Sequence, residues 1–419
     1  MRLSRVRRLF LIIQCIGLQL VVTACAKAED PLVLLPKSGL LAKDLAVIVN
    51  TMDPLSVQIG EYYQKKRRLK PENMIEVAFK PGQSTMSAED FAIIKAQVDR
   101  QTPSSVQAYA LTWAAPYRVE CMSITTAFAM GYDLKYCATG CEITATSPYA
   151  ESDTLYPYDK YGIRPTMSLA AGSLADAKAL INRGVIADGW AADPSTVPAA
   201  YLLETSDSLR SVRKVYFPSI TKDLSNQVKV RSLQKEGISN REDVMFYFTG
   251  AAFVKSLEKN AYLPGAMADH LTSSGGKLTN SKQMSALRWL QVGATGSYGT
   301  VVEPCNYTQK FPNPYIAMQN YLGGSTLIEA YWKSVVMPGQ GIFIGEPLAS
   351  PYRGYSVSPD GNRLRIRSNQ LTQGRYRVFS AQQREGPFSL EIEQVSVGFK
   401  SRSIWVRPPF QPVYKIVRR

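Results

Sequence analysis

His270 is the single histidine in 419 residues, and that fact closes most catalytic options. A metal site built on several imidazoles is impossible. Any Ser/His/Asp or Cys/His arrangement must use His270 as its base. Asp269 precedes it, and Thr272, Ser273, Ser274, Gly275 and Gly276 follow. Read as a turn, this stretch sets an imidazole of near-neutral pKa beside a nest of backbone amides, suited to general-base work or to holding an anion. The competing reading is a histidine that only hydrogen-bonds within a loop.

Cys305 follows Glu303-Pro304 at the end of an expected strand, the place where open α/β sheets put their ligands. As a thiolate it needs His270 nearby and a reduced sulfur; as half of a disulfide it is inert. The carboxylates of Asp269, Glu303 and Glu346 offer acid/base chemistry of a glycosidase kind, although Glu346 in Gly345-Glu346-Pro347-Leu348 equally suits a cap or an ion pair. The catalytic candidates are therefore His270, Asp269 and Glu303. No Walker loop, dinucleotide fingerprint or Gly-x-Ser-x-Gly elbow is present, so no cofactor and no metal are expected. Tyr149, Tyr156, Tyr158, Tyr161 and Phe311 could line a carbohydrate or peptide groove, or simply stand on the surface.

The start of the chain says where these residues work. Arg2, Arg5, Arg7 and Arg8 precede an apolar run from Leu9 to Val22, and Thr23, Ala24, Cys25 and Ala26 follow. That is the order of a secretory signal, expected over residues 1–28. The run is shorter than the roughly 20 residues of a spanning helix. Val22-Thr23-Ala24-Cys25 also resembles a lipobox, whose cysteine is lipidated; cleavage after Ala26 or Ala28 is the alternative. The expectation is an exported protein, periplasmic or held to a membrane by lipid, with no further span.

Export gives the other cysteines a meaning. With Cys15 and Cys25 in the leader, Cys121, Cys137, Cys141 and Cys305 remain, an even number for an oxidising compartment. We expect Cys137–Cys141 as a local clip and Cys121–Cys305 as a long-range staple, because both members of the latter follow expected strands. A four-thiolate zinc site fits less well, since Cys137-x3-Cys141 is loose for it.

The formal charge is +15, and the excess is uneven. From Arg363 onward twelve Lys or Arg face only Glu385, Glu391 and Glu393. In an exported protein this favours an anionic envelope component, a lipid headgroup or an acidic glycan, or a protein partner, over nucleic acid. A merely solvated basic face is the plainer alternative.

The elements that must position these groups alternate between strand and helix. Asp44–Asn50 is a continuous apolar run; Pro54 opens a helix with Val57, Ile59, Tyr62 and Tyr63 on one face; Met74–Phe79 is the next strand. That is a βαβ unit with parallel strands. Ser87-x-x-Asp90 and Ser173-x-x-Asp176 read as caps of two further helices. Strands are expected at Ser105–Trp113, Ala199–Thr205, Asp243–Phe248, Gly293–Val302 and Gly341–Ile344. Helices are expected at Asp207–Val215, Ser281–Val292 and through to Val336. Arg118–Ile163 reads as a long excursion. The fold class is α/β, a mainly parallel sheet flanked by helices over residues 29–350. Short alternating segments from Pro351 onward make residues 351–419 a small all-β, basic module.

Asp243–Gly250 (DVMFYFTG), Pro264–Gly276 (PGAMADHLTSSGG), Gly293–Cys305 (GATGSYGTVVEPC), Thr326–Ser334 (TLIEAYWKS) and Gly345–Leu348 (GEPL) together resemble one uncharacterised family of exported bacterial α/β proteins. That resemblance implies no activity. More distantly the chain resembles gingipain-type cysteine peptidases of caspase-like topology, which implies a hydrolase with a cleft at the strand ends. In those enzymes one strand ends in His-Gly and a later one in the nucleophilic Cys. Here the corresponding strands end Phe248-Thr249-Gly250 and Ala268-Asp269-His270, so the peptidase chemistry is not carried over.

Overall fold

The computed structural model describes residues 30–138, 140–192, 197–398 and 401–419; the leader and Cys25 lie outside them. Leu45–Asn50 shows why the centre forms as it does. All six of its residues are buried, and alternate side chains enter two different cores: Leu45, Val47 and Val49 one, Ala46 and Ile48 the other. A strand covered on both faces has to be apolar throughout.

Ten strands make the main sheet, in the spatial order Lys229–Gln234, Ala199–Glu204, Val244–Gly250, Tyr262–Leu271, Gly296–Thr300, Gly341–Gly345, Thr166–Ser168, Ala108–Leu111, Leu45–Asn50, Met74–Val77. Every neighbouring pair is parallel except one. Gly296–Thr300 runs antiparallel to Gly341–Gly345. The sheet is thus two parallel halves of five strands pointing in opposite directions, and their carboxyl ends open at opposite edges.

Helices cover both faces. Pro54–Arg67 is started by Asp53, whose carboxylate accepts from Leu55 N at 3.0 Å, and stopped by Arg68 in the left-handed region at φ 52°. Ser87 and Ser173 cap Ala88–Gln101 and Leu174–Ala187 by accepting from Asp90 N and Asp176 N. The first and third of these helices bury Ile59, Tyr63, Ala177 and Ile181 on one face of the sheet, and the second buries Phe91, Ile94 and Val98 on the other.

Several local expectations are corrected. Asp269 and His270 do not stand in a turn: they lie in the strand Tyr262–Leu271, and the Ser- and Gly-rich segment follows it. The helix expected at Ser281–Val292 shrinks to Leu287–Gln291. Ser281 and Ser285 hydroxyls instead bond the backbone of Ser274, Gln283, Leu278 and Leu287, the local competition that keeps serine out of helix interiors. Asp207–Val215 is not an α-helix either. A 3-10 segment occupies Ser211–Tyr216, and the α-helix begins at Phe217 with Pro218 in its first turn.

The disulfides are Cys121–Cys137 and Cys141–Cys305, in place of the pairing read from strand ends. The 140–142 segment lies against residues 305–310, where buried Lys310 Nζ donates to Glu142 O at 2.5 Å. That docking carries Cys141 to Cys305 and leaves Cys121 to Cys137.

The C-terminal part holds two small sheets. Val413–Arg418 sits between Gly374–Ala381 and the N-terminal strand Leu32–Leu34, with Ser389–Val397 at the edge; Ser356–Asp360, Arg363–Arg367 and Ser403–Val406 form the other. Val33, Ile366, Tyr376, Val378, Ile404 and Tyr414 share one core.

Candidate functional site

Asp269 and His270 are adjacent in a strand, so their side chains leave opposite faces of the sheet. Asp269 turns toward the face of Phe248, where its Oδ1 accepts from Arg213 Nη1 at 2.6 Å. Arg213 also donates to Thr249 O at 2.8 Å, and both charged side chains are nearly inaccessible. Burial pushes the Asp269 carboxyl up, and Arg213 opposes that push.

His270 faces the other core. Trp289 Nε1 donates to its Nδ1 at 2.9 Å, and its Nε2 lies 3.0 Å from Met284 O. A donor on Nδ1 and an acceptor at Nε2 leave one consistent tautomer, the neutral ring with its proton on Nε2. Burial pulls the imidazole down to about 4. Both nitrogens are occupied within the protein, and neither is offered to a substrate. Glu303 is exposed, its carboxylate accepting from Cys305 N at 2.9 Å, and Cys305 is disulfide-bonded. The three sequence candidates thus occupy two buried faces and the surface, and do not converge.

Glu346 is also spent internally. It is wholly buried, bridged by Arg67 Nε and Nη2, and accepts from Tyr63 OH at 2.6 Å. Among the described residues no group of three or more His, Cys, Asp or Glu is placed to hold a metal ion. No helix among them is long and apolar enough to cross a membrane.

A different place gathers free polar groups. Between the α/β sheet and the C-terminal sheets lies a cavity of about 390 Å³. Arg402 and Arg353 fix its walls: Arg402 Nη1 donates to Leu322 O and Asn369 O, and Arg353 Nε donates to Gly324 O. Gln370 Nε2 adds a bond to Pro36 O. Four cations line the space, Lys37, Lys333, Arg402 and Arg418, against one acid, Asp153. Lys37 is already paired, with Asp44 at 2.9 Å.

Lys333 is the exceptional member. It ends the helix Leu327–Lys333 and is 3% exposed, and its ammonium has no hydrogen bond or ion pair among the described residues. Burial pulls its ammonium down, while Glu329 and Asp153 pull the other way from a distance. Glu329 Oε2 accepts from Leu40 N and Thr326 N, while its Oε1 is buried without a hydrogen-bond partner. The ring of buried Tyr149 lies 5.4 Å from Lys333 Nζ, a cation–π contact that offsets part of the desolvation. Gln227, whose Oε1 is buried without a partner, lines the same cavity, as do Gln319, Asn320 and Gln373.

Sequence reasoning missed this site, though a signal was there. Thr326–Ser334 is apolar on all sides apart from Glu329 and Lys333. Charges set in a helix apolar all round must be buried with it.

No family model matches the chain, and no curated protein matches it. Two solved structures are similar. One is described as "Structure of Protease", 10% identical with a TM-score of 0.43 over 90% of this chain and 97% of that one. The other is a complex of the pro- and mature domains of RgpB from Porphyromonas gingivalis, 10% identical with a TM-score of 0.42 over 86% and 98%.

Proposed function

We propose that this chain is an exported envelope protein that binds an acidic, hydroxyl-rich glycan in the cavity at the seam, without transforming it. One observation carries the reading: the ammonium of Lys333, on a side chain 3% exposed and without an ion-pair partner among the described residues, lines a cavity with a cationic excess. Taking a charge out of water is costly, and a ligand carboxylate would give the ammonium a direct partner. The unbonded Gln227 and the neighbouring amides suit sugar hydroxyls. A concave site of this depth suits a glycan unit better than a flat bilayer surface. A hydrolase at Asp269, His270 and Glu303 gains no support from His270, whose two ring nitrogens are both engaged.

The test is titration of the full chain with galacturonate, followed by calorimetry, for wild type and K333M. Loss of the charge should weaken binding about tenfold or more, the value of one charged hydrogen bond. The melting temperature should hold or rise, because a long apolar side chain replaces a buried charge. Equal affinities for wild type and K333M would overturn the proposal.

A further inference from the structure

A second basic cleft adjoins the seam. It measures about 490 Å³ and is lined by Gly374, Arg375, Gln394, Arg418 and Arg419. Arg418 is common to both spaces. Its Nη2 donates only weakly, to Gln373 O at 3.3 Å, and Gln373 lines the seam cavity. Arg375 and Arg418 make no ion pair among the described residues, and Arg419 spends one donor on neutral Gln394 Oε1 at 2.7 Å. The acids of the same sheet are elsewhere: Glu393 pairs with Arg377 at 2.8 Å, and Glu391 takes Ser380 Oγ at 2.9 Å.

From this continuity we propose that the ligand is a polymer: an acidic polysaccharide with one charged unit in the seam cavity and its next units running over Arg418 into the Arg375–Arg419 cleft. The inference rests on the seam reading above. A chain with a carboxylate on every unit meets cations along that path, and Asp153 is the acidic side chain among the residues lining the two spaces. Once the first unit is held, each further contact is intramolecular, so affinity must climb with chain length. The outer cleft is exposed, so its share is screened by salt more strongly than that of the largely buried Lys333.

The experiment compares galacturonate with tri- and octagalacturonate on the full chain, for wild type, K333M and R375Q/R419Q. Wild type should bind the octamer roughly tenfold or more tighter than the monomer, and raising the salt should shrink that ratio. R375Q/R419Q should flatten the ratio, while K333M should weaken every length. Short polyphosphate and inorganic phosphate run as a second arm, to separate carboxylate from phosphate chemistry; tighter binding there moves the proposal to a phosphate polymer and overturns the uronate form. If galacturonate binds through Lys333 but length brings no gain, the polymer inference falls and the seam reading stands. If wild type binds no probe, both fall. Vesicles of anionic lipid should bind no better to wild type than to R375Q/R419Q; a large difference there overturns the glycan assignment in favour of a membrane surface.

Discussion

Trp289 donates its indole N–H to Nδ1 of His270 at 2.9 Å. With Met284 O at Nε2, this bond fixes the only histidine of the chain as a neutral ring closed to solvent. The residue that drew most attention in the sequence is thereby a structural one, joining the Tyr262–Leu271 strand to the Leu287–Gln291 helix.

That arrangement makes stability depend on acid. The folded imidazole is depressed from its ordinary 6.5 to about 4, so the unfolded chain takes up the proton first. The stabilisation is complete above about pH 6.5 and is lost as pH falls toward 4, by on the order of 3 kcal/mol. Urea unfolding of wild type and H270Q across that window checks it. The wild-type slope should be steeper, and equal slopes would show that His270 is not held neutral.

Gly184 lets the helix Leu174–Ala187 touch the buried Glu346. A methyl group there would clash with Glu346 Cγ and Oε2, and the carboxylate is clamped by Arg67 and Tyr63. At an open helical site Gly→Ala gains up to about 1 kcal/mol. Here G184A should lose about 1–3 kcal/mol, because overpacking wins. A stabilised G184A in chemical denaturation would contradict the clamp.

The two disulfides should differ in what they contribute. They close loops of sequence separation 164 and 16, and loop-closure entropy gives about 5 and about 3 kcal/mol. Unfolding midpoints of C141S/C305S and C121S/C137S test the order. A larger loss from the short loop would point to unfolded-state structure around residues 121–137.

Much of the scaffold was legible because it follows local rules. The apolar run Leu45–Val49, Pro54 at a helix start, the caps at Ser87 and Ser173, and the alternating segments after Pro351 each announce their element. Those signals add up to an α/β sheet with small β sheets appended. Asp269 and His270 were misread for a local reason: the Thr272–Gly276 segment directly after them looks like turn chemistry. Their strand is held by its neighbours at Val244–Gly250 and Gly296–Thr300, not by its own propensity.

The sequence by itself determined which residues are scarce, which runs are apolar on both sides and where the positive charge accumulates. Only the tertiary structure decided who meets whom. It put Asp269 and His270 on opposite faces, joined Cys141 to Cys305, and set the Lys333 ammonium, unpaired among the described residues, at a cavity. Such meetings depend on long-range docking of surfaces far apart in the chain, and spacing along a strand or helix carries no record of them.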